Sequence, residues 1–494
     1  MMRVKIVSCI LSISLALSGI AAAQDSRATA IQKIDSELFA KMAALEKDQT
    51  QRVMVQFDVP ATLADAMRSG APDLNRVAAV AEARSMMVAS LTTEAELRTE
   101  IQGNIKRSLT YLPYVALDVT GAQLDALSKS SRVVRIYEDK KMVTFLPEST
   151  ALSIVDAATT RAMGYEGQGQ TVAILDGGVA KNHTFIGASR VVAEACYSTS
   201  GCPSPATGPG TGEPEPGTIV HHGMHVAGIA AGSNTLTFSG VAPQADIISV
   251  RVVDKNGGAT SIPAFLSDLA AGLDFVYGER NNFDIAAVNL SLGVPGIQYT
   301  TSCDSVDTAV VDAINLLDGA GIAVIAASGN DGSATGISFP ACASSVISVG
   351  STGDGSGSIA SCRAGVTLPA TSVDQVSSFS NSSTILDLLA PGANINSSHG
   401  LSSGTCNLRG TSMAAPHVTG AFAVLKSAVP YATKQDVLDA LIATGKPVTD
   451  TKAMSITKPR IDVYEALLHL QANTSRPFAV VPLNGFSLIP TSGQ

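Results

Sequence analysis

The sequence predicts a doubly wound α/β domain, a mostly parallel sheet with helices on both faces, behind a smaller α+β unit. Three observations carry this reading. From about residue 150, short apolar β-rich runs alternate with helical stretches, the order of parallel strands joined by crossover helices. Residues 24 to about 147 have another texture, with more charge and no cysteine. Every cysteine after Cys9 lies beyond residue 190.

Taken in order, the chain opens with Arg3 and Lys5, an apolar run from Ile6 to Ile20, and Ala21-Ala22-Ala23. That is an export leader with a cut expected before Gln24, and its apolar run is short for a membrane span. Val53, Val55, Phe57 and Val59 alternate as in a strand, and residues 75–108 are rich in helix formers. Tyr111–Val119 reads as a strand, Thr120 and Gln123 as a capping box opening a short helix with Leu124 and Leu127, and Val133–Tyr137 as a last strand. Helices on one face of a small sheet follow from that order.

In the second region the expected strands are Thr171–Leu175, Ile247–Val253, Ile285–Leu292, Ala323–Ala327, Val346–Val349 and Ile385–Leu389. The expected helices are Ala264–Tyr277, Val306–Leu317, Ser412–Ser427, Lys434–Ala443 and Val463–Gln471, with Thr433 and Asp436 as a second cap. Residues 201–218 are dense in Pro, Gly and Thr and read as a surface loop. The organisation is then leader 1–23, small domain 24–147, large domain 148–472 and a tail 473–494 of unassigned role.

Composition narrows the function. The chain has 494 residues, 45% hydrophobic and only 15% charged, with a net charge of −9. No basic cluster interrupts that balance, which argues against a nucleic-acid partner. No later run of apolar residues is long enough to span a bilayer, so no membrane association is expected after leader removal. Cys196, Cys202, Cys303, Cys342, Cys362 and Cys406 form an even set behind a leader, which reads as disulfides. Fifteen pairings are open; the expectation adopted is that neighbours pair. No C-x-x-C spacing suggests a metal instead.

Three segments carry groups suited to nucleophilic catalysis. A serine hydroxyl needs a neutral imidazole to take its proton, and a carboxylate to hold that imidazole in the right tautomer. Ala173-Ile174-Leu175-Asp176-Gly177-Gly178 ends a buried strand with a carboxylate. His222-Gly223-Met224-His225-Val226-Ala227-Gly228 opens a helix. Gly410-Thr411-Ser412-Met413-Ala414-Ala415-Pro416 places a serine at a helix N-terminus, with Pro416 near the first turn. Singly, an Asp at a strand end or a Ser at a helix start is commonly a cap or turn former. His221, His222 and His225 lack the H-E-x-x-H arrangement of a zinc site, and the G-x-S-x-G of the α/β-hydrolases is absent.

Jointly, these segments resemble the subtilisin-type serine proteases. The order Asp, His, Ser fits, as does the run Gly410–Val418, and so do Gly240-Val241-Ala242-Pro243, Ser291-Leu292-Gly293, Ser328-Gly329-Asn330 and Ala390-Pro391-Gly392. The likeness covers roughly residues 150–430. Residues 52–143 are more loosely similar to that family's inhibitory propeptides, which gives the small domain a ferredoxin-like fold.

The resemblance implies that Ser412 attacks the scissile carbonyl, His222 is base and then acid, and Asp176 orients it. Asn330 and the Ser412 backbone N–H would serve the oxyanion. Ser291, Leu292 and Gly293 would form one wall of the primary pocket, and Ala327, Ser328 and Gly329 the other. Asp331 at the rim is a candidate for tolerating Lys or Arg. The chemistry needs no cofactor or metal; structural calcium is left open with no ligands identified. The partners implied are protein or peptide substrates and the chain's own propeptide as intramolecular inhibitor, in a monomer secreted to the medium or periplasm. First self-cleavage is expected between residues 140 and 150. Two positions depart from the family: Gly177 stands where Ser or Thr is usual, and Met224 where Thr is usual. An inactive, secreted binding protein is the rival reading that these two positions allow.

Overall fold

The computed structural model describes residues 49–59, 73–90, 104–144, 154–199, 222–234, 238–253, 263–362, 365–452 and 455–474, with isolated positions 33–35, 38, 41 and 202. The leader, the 203–218 stretch and the tail beyond Thr474 lie outside them.

The small domain is built from β1 (Gln51–Phe57), α1 (Asp73–Ser90), β2 (Ile105–Ser108), β3 (Tyr114–Val119), α2 (Gly121–Lys129) and β4 (Val133–Glu138). Its antiparallel sheet has the order β2-β3-β1-β4. Strand alternation sorts the two faces. Val53, Val55 and Phe57 pack with Val80, Met87, Leu124 and Leu127 of the two helices. Met54, Tyr114, Ala116 and Tyr137 point the other way, into a core shared with the large domain. Of the stretch 75–108 that is rich in helix formers, the part up to Ser90 lies in a helix, residues 91–103 lie outside the described residues, and Ile105–Ser108 is an edge strand instead. A four-residue edge strand is too short to show alternation, which is why the helix-forming composition before it misled.

The large domain begins with α3 (Ala157–Ala162), β6 (Thr171–Asp176), β7 (Val191–Cys196), α4 (His222–Ala231) and β8 (Asp246–Arg251), after a short strand β5 (Lys141–Thr144). It continues through β9 (Pro263–Phe265), α5 (Leu266–Glu279), β10 (Ile285–Leu290), β11 (Leu292–Gly293), α6 (Thr308–Gly319), β12 (Ala323–Ala327) and β13 (Val346–Gly353). It closes with β14 (Leu388–Ala393), β15 (Ile395–Ser398), β16 (Thr405–Leu408), α7 (Thr411–Ala428), α8 (Lys434–Thr444), β17 (Lys446–Asp450), β18 (Ile456–Arg460) and α9 (Val463–Asn473).

Among the described residues the large sheet has nine strands in the order β17-β18-β14-β13-β12-β10-β6-β8-β7. All neighbouring pairs are parallel except β17 with β18. Alternate residues of each strand feed two cores. Val172 and Ile174 of β6 pack under α4 and α7, with α8 and α9 alongside. Ala173 and Leu175 pack under α5 and α6. This is the doubly wound arrangement, and it leaves the C-terminal ends of β6, β10 and β12 opening on one crevice. The capping boxes at Thr120 and Thr433 both form. No helix of the described residues is long and apolar enough to cross a membrane.

The close approach of α7 to α4 depends on Gly420. A Cβ there would stand 2.6 Å from Val241 Cβ and 2.7 Å from the Ala230 carbonyl oxygen. Gly to Ala inside a helix ordinarily gains about 1 kcal/mol, whereas overpacking a close-packed core costs about 1–3 kcal/mol. Backbone is a rigid neighbour, so the second effect wins. Gly420→Ala, made in a Ser412→Ala background to avoid self-digestion, is therefore expected to lower the melting temperature; an unchanged or higher Tm would contradict this packing.

Candidate active site

Strand β6 is buried along its whole length and delivers Asp176 as its last residue. The turn that follows needs Gly178, whose φ is 99°. Gly223 is required just opposite, because a Cβ there would lie 2.6 Å from the Gly178 carbonyl oxygen. That absence of side chain lets α4 dock against the end of β6. His222, the first residue of α4, then donates from Nδ1 to Asp176 Oδ2 at 2.8 Å and Oδ1 at 2.9 Å. An ionised carboxylate only accepts, so the proton sits on Nδ1 and the lone pair on Nε2. Both side chains are fully buried. The Gly177 N–H adds a third contact, to Asp176 Oδ1 at 2.6 Å.

His225, one turn along α4, faces the other way. Its Nε2 donates to the carbonyls of Ile395 (3.0 Å) and Cys406 (3.2 Å). Burial first, and the neighbouring His222 second, hold its pKa well below the usual value. It is a neutral packing histidine. His417 is similar, pushed down to about 4 by burial.

Ser412 lies in the first turn of α7, behind the cap residue Gly410. Its Oγ donates to the Ser291 carbonyl at 3.1 Å. His222 Nε2 has no hydrogen-bond partner in this conformation. The Asp176–His222 bond is therefore made and a His222–Ser412 bond is not, as is common before substrate tightens a site.

A chain of buried polar groups that the sequence reading missed locks this helix end to the sheet. Thr419 Oγ1 donates to Asn289 Oδ1 (3.1 Å), Asn289 Nδ2 to Ser291 Oγ (2.8 Å), and Ser291 Oγ to the Ser412 carbonyl (2.7 Å). The available signal was Asn289 itself, a polar residue inside the apolar run of β10.

Asn330 sits just beyond β12. Its Oδ1 accepts from both the N–H and the hydroxyl of Thr411 at 2.9 Å. Those two bonds fix the amide so that Nδ2 is the outward donor. Gly329 precedes it at φ 108°, where a Cβ would meet Asn381 Nδ2 at 2.3 Å and Ser338 Oγ at 2.4 Å. Ser328 Oγ donates to the Asn381 carbonyl at 3.0 Å. The segments Ser291-Leu292-Gly293 and Ala327-Ser328-Gly329 thus follow adjacent strands of the sheet, β10 and β12. Asp331, exposed, accepts from Asn381 Nδ2 at 3.0 Å, which ties its carboxylate to the neighbouring loop.

Strand β5, which follows the small domain, lies between β9 and β11 and pairs antiparallel with both. Its register sets Met142 opposite Ala264, Val143 opposite Pro263 and Gly293, and Thr144 opposite Leu292. The small domain also caps two helices of the large one. Asp139 accepts from Ser267 N (2.9 Å) at the start of α5, which has no side-chain cap of its own. Tyr137 OH accepts from Ala309 N (3.0 Å) and donates to Asp307 (3.2 Å) at the start of α6. Asp268, Asp274 and Asp312 receive Arg107 Nε (2.9 Å), Thr110 N (2.6 Å) and Tyr114 OH (2.6 Å).

The disulfides join Cys196 to Cys202, Cys303 to Cys342 and Cys362 to Cys406. Among the described residues the one cluster with metal-ligand geometry is Cys362, His399 and Cys406. Its sulfurs are already bonded to each other, and soft donors do not suit calcium, so no residues are assigned to that ion.

The sequence from residue 167 to 460 matches the model of the subtilase family. An alkaline protease of Alkalihalobacillus alcalophilus is 31% identical over 69% of this chain and 76% of its own. An extracellular serine proteinase of Thermus sp. strain Rt41A is 32% identical over 67% of this chain and 71% of its own. Subtilisin E of Bacillus subtilis is 29% identical over 73% and 83%. Taken with the parallel sheet and the buried Asp–His pair at its crevice, these likenesses settle the assignment: the chain belongs to the subtilase family and is a serine-type endopeptidase.

Proposed function

We propose that Ser412, His222 and Asp176 form the catalytic triad of a secreted endopeptidase made as a self-processing precursor. The carrying observation is the buried Asp176–His222 pair, with His222 opening a helix, α4, that packs against α7, the helix that bears Ser412. With Nδ1 protonated toward Asp176, Nε2 is the basic nitrogen. It takes the serine proton as Oγ attacks the scissile carbonyl, and the imidazolium so formed is stabilised by the buried carboxylate. Asn330 Nδ2 and the Ser412 N–H receive the oxyanion, helped by the positive end of the α7 dipole. His222 then protonates the leaving amine; water deacylates the serine by the reverse proton path. Only neutral imidazole can act as base, so activity rises as His222 deprotonates.

The small domain is proposed as an inhibitory propeptide whose last strand, β5, occupies the acyl side of the substrate cleft. Peptides commonly add to open strand edges in this way. Thr144 faces Leu292, and the preceding residue of that wall is Ser291, whose carbonyl touches Ser412 Oγ. A substrate strand continuing this register by one position presents the carbonyl of Phe145. The proposed processing bond is therefore Phe145–Leu146. Export by the leader, and the extracellular description of the Thermus relative, support secretion.

A fluorophosphonate probe tests the triad: it is expected to label wild type at Ser412 and to leave Ser412→Ala unlabelled. No labelling of processed wild type would favour the inactive binding protein. Ser412→Ala should accumulate as precursor after leader removal, and mass spectrometry of the wild-type product should find Leu146 at the N-terminus; a mature-sized product from Ser412→Ala, made without helper protease, would remove self-processing. Asn330→Leu is expected to lower turnover by about 10²–10³-fold, a magnitude known from a subtilisin, with KM little changed.

The interface adds a pH prediction. Burial raises Asp139 to about 7, and Asp268 and Asp307 nearby push in the same direction. Asp274 and Asp307 are raised to about 6, again by burial. Each group holds a proton in the assembled form that it releases when exposed, near its ordinary 3.8. Assembly is thus favoured at acid pH and weakens as pH climbs from about 4 towards 7. Cleaved propeptide should co-elute with enzyme at pH 5 and separate by pH 8. Asp139→Asn should flatten the upper part of that profile, and an unchanged profile would discount Asp139.

A further inference from the structure

The acyl side of the cleft gathers carboxylates, whereas the other side carries a guanidinium that forms no ion pair among the described residues. On the acyl side, Asp268, Asp274, Asp307 and Asp312 face the small domain. On the other, Arg409 stands three residues before Ser412, half-buried, with its guanidinium 5.4 Å from the Phe379 ring centroid. Among the described residues Arg409 forms no ion pair. The surrounding carboxylates are engaged elsewhere: Asp374 with Lys446 (2.6 Å) and Arg460 (2.8 Å), Asp450 with Lys452 (3.0 Å).

Arg409 and Phe379 line a cavity of about 430 Å³ with Gln375, Asn394, Lys452 and Asp450, the last paired with Lys452. The position of that cavity follows from the hydrogen bonds around Asn330. Gly332 N donates to the Phe379 carbonyl at 2.7 Å, and Asn381 holds Asp331 from both its amide atoms. The loop bearing Phe379 is therefore joined to the segment just after the oxyanion donor. The strands that hold the acyl strand, β9 and β11, contribute nothing to the cavity lining. A chain that enters along β5 and passes Ser412 leaves towards this side. The chain's own leaving segment, Leu146-Pro147-Glu148, has its first charge at Glu148.

We propose that Arg409 is a specificity-determining residue that selects substrates with a carboxylate side chain within the first three residues after the scissile bond. A guanidinium held over an aromatic face keeps its charge and presents its free edge, the geometry suited to a carboxylate. The pair would be partly solvated, so its effect is modest and falls with salt.

The inference rests on the proposed triad and processing bond, and its test separates the two. Quenched peptides of sequence Lys-Met-Val-Thr-Phe-Leu-Pro-X-Ser-Thr, with X as Glu, Gln or Lys, share one acyl part. Purified processed enzyme is expected to cleave all three after Phe, with kcat/KM for Glu about 5-fold above Lys at low ionic strength. Arg409→Gln should bring the three together, Arg409→Glu should reverse their order, and Arg409→Lys should keep it. Deacylation, measured from the common acyl-enzyme, should not vary with X. If no peptide is cut after Phe, the processing reading fails. If all are cut equally by wild type, or Arg409→Gln slows all three alike while the order persists, Arg409 only packs on Phe379 and the specificity proposal is overturned.

Discussion

A carboxylate and an imidazole, both without solvent contact, meet through two hydrogen bonds of 2.8 and 2.9 Å. Taking either group into the interior alone would be costly, because burial disfavours the charged form. The surrounding architecture is what makes the pair tolerable. A central parallel strand ends at Asp176, the next turn uses a left-handed glycine, and the facing helix begins with His222 followed by a residue that must lack a Cβ. Gly178 and Gly223 belong to the site as much as the groups they bring together. Enlarging Gly223 would push α4 off the strand end and open the pair.

The two departures from the family pattern look different once this geometry is known. Gly177 has open space around its Cα, so no steric demand keeps a hydroxyl out. Its backbone N–H already donates to Asp176 at 2.6 Å, and the carboxylate keeps a second donor without a side chain. Met224 is buried, and its sulfur accepts from Ala180 N at 2.9 Å. It therefore holds the turn after β6 against α4, a packing task that a long flexible thioether performs well. Neither position withdraws a group that makes or breaks a bond, which favours an active enzyme over a retired one.

Legibility followed the range of the interactions. The parallel strands and their helices could be read because apolar runs and periodicity are local properties. The Ser412 segment could be read because nine adjacent residues from Gly410 to Val418 carry the likeness. What escaped was short or non-local. Ile105–Ser108 and Val191–Cys196 are edge strands without a clean alternation, and the β15–β16 and β17–β18 hairpins are polar on most positions. The Thr419–Asn289–Ser291 chain links positions up to 130 residues apart, and no local pattern announces it. Asn381, which threads the loop after Asn330 through three contacts, is invisible for the same reason.

The same sorting by range bears on how the two domains meet. The small domain brings Arg52, Arg76, Arg107 and Arg135 to the contact, and the large domain brings carboxylates that are buried in the assembled chain. Their acceptors are met by backbone N–H groups, tyrosine hydroxyls and one arginine. Burial outweighs the coulombic help that Arg76 gives Asp274 and Arg135 gives Asp307, so both carboxylates are driven towards their neutral forms. Strong attachment built from apolar area shared across the β1–β4 face, combined with acidic groups that resent burial, gives an association that is firm yet sensitive to proton supply. A propeptide held chiefly by ion pairs would be screened by salt instead. The buried carboxylates of this contact therefore make its strength depend on pH.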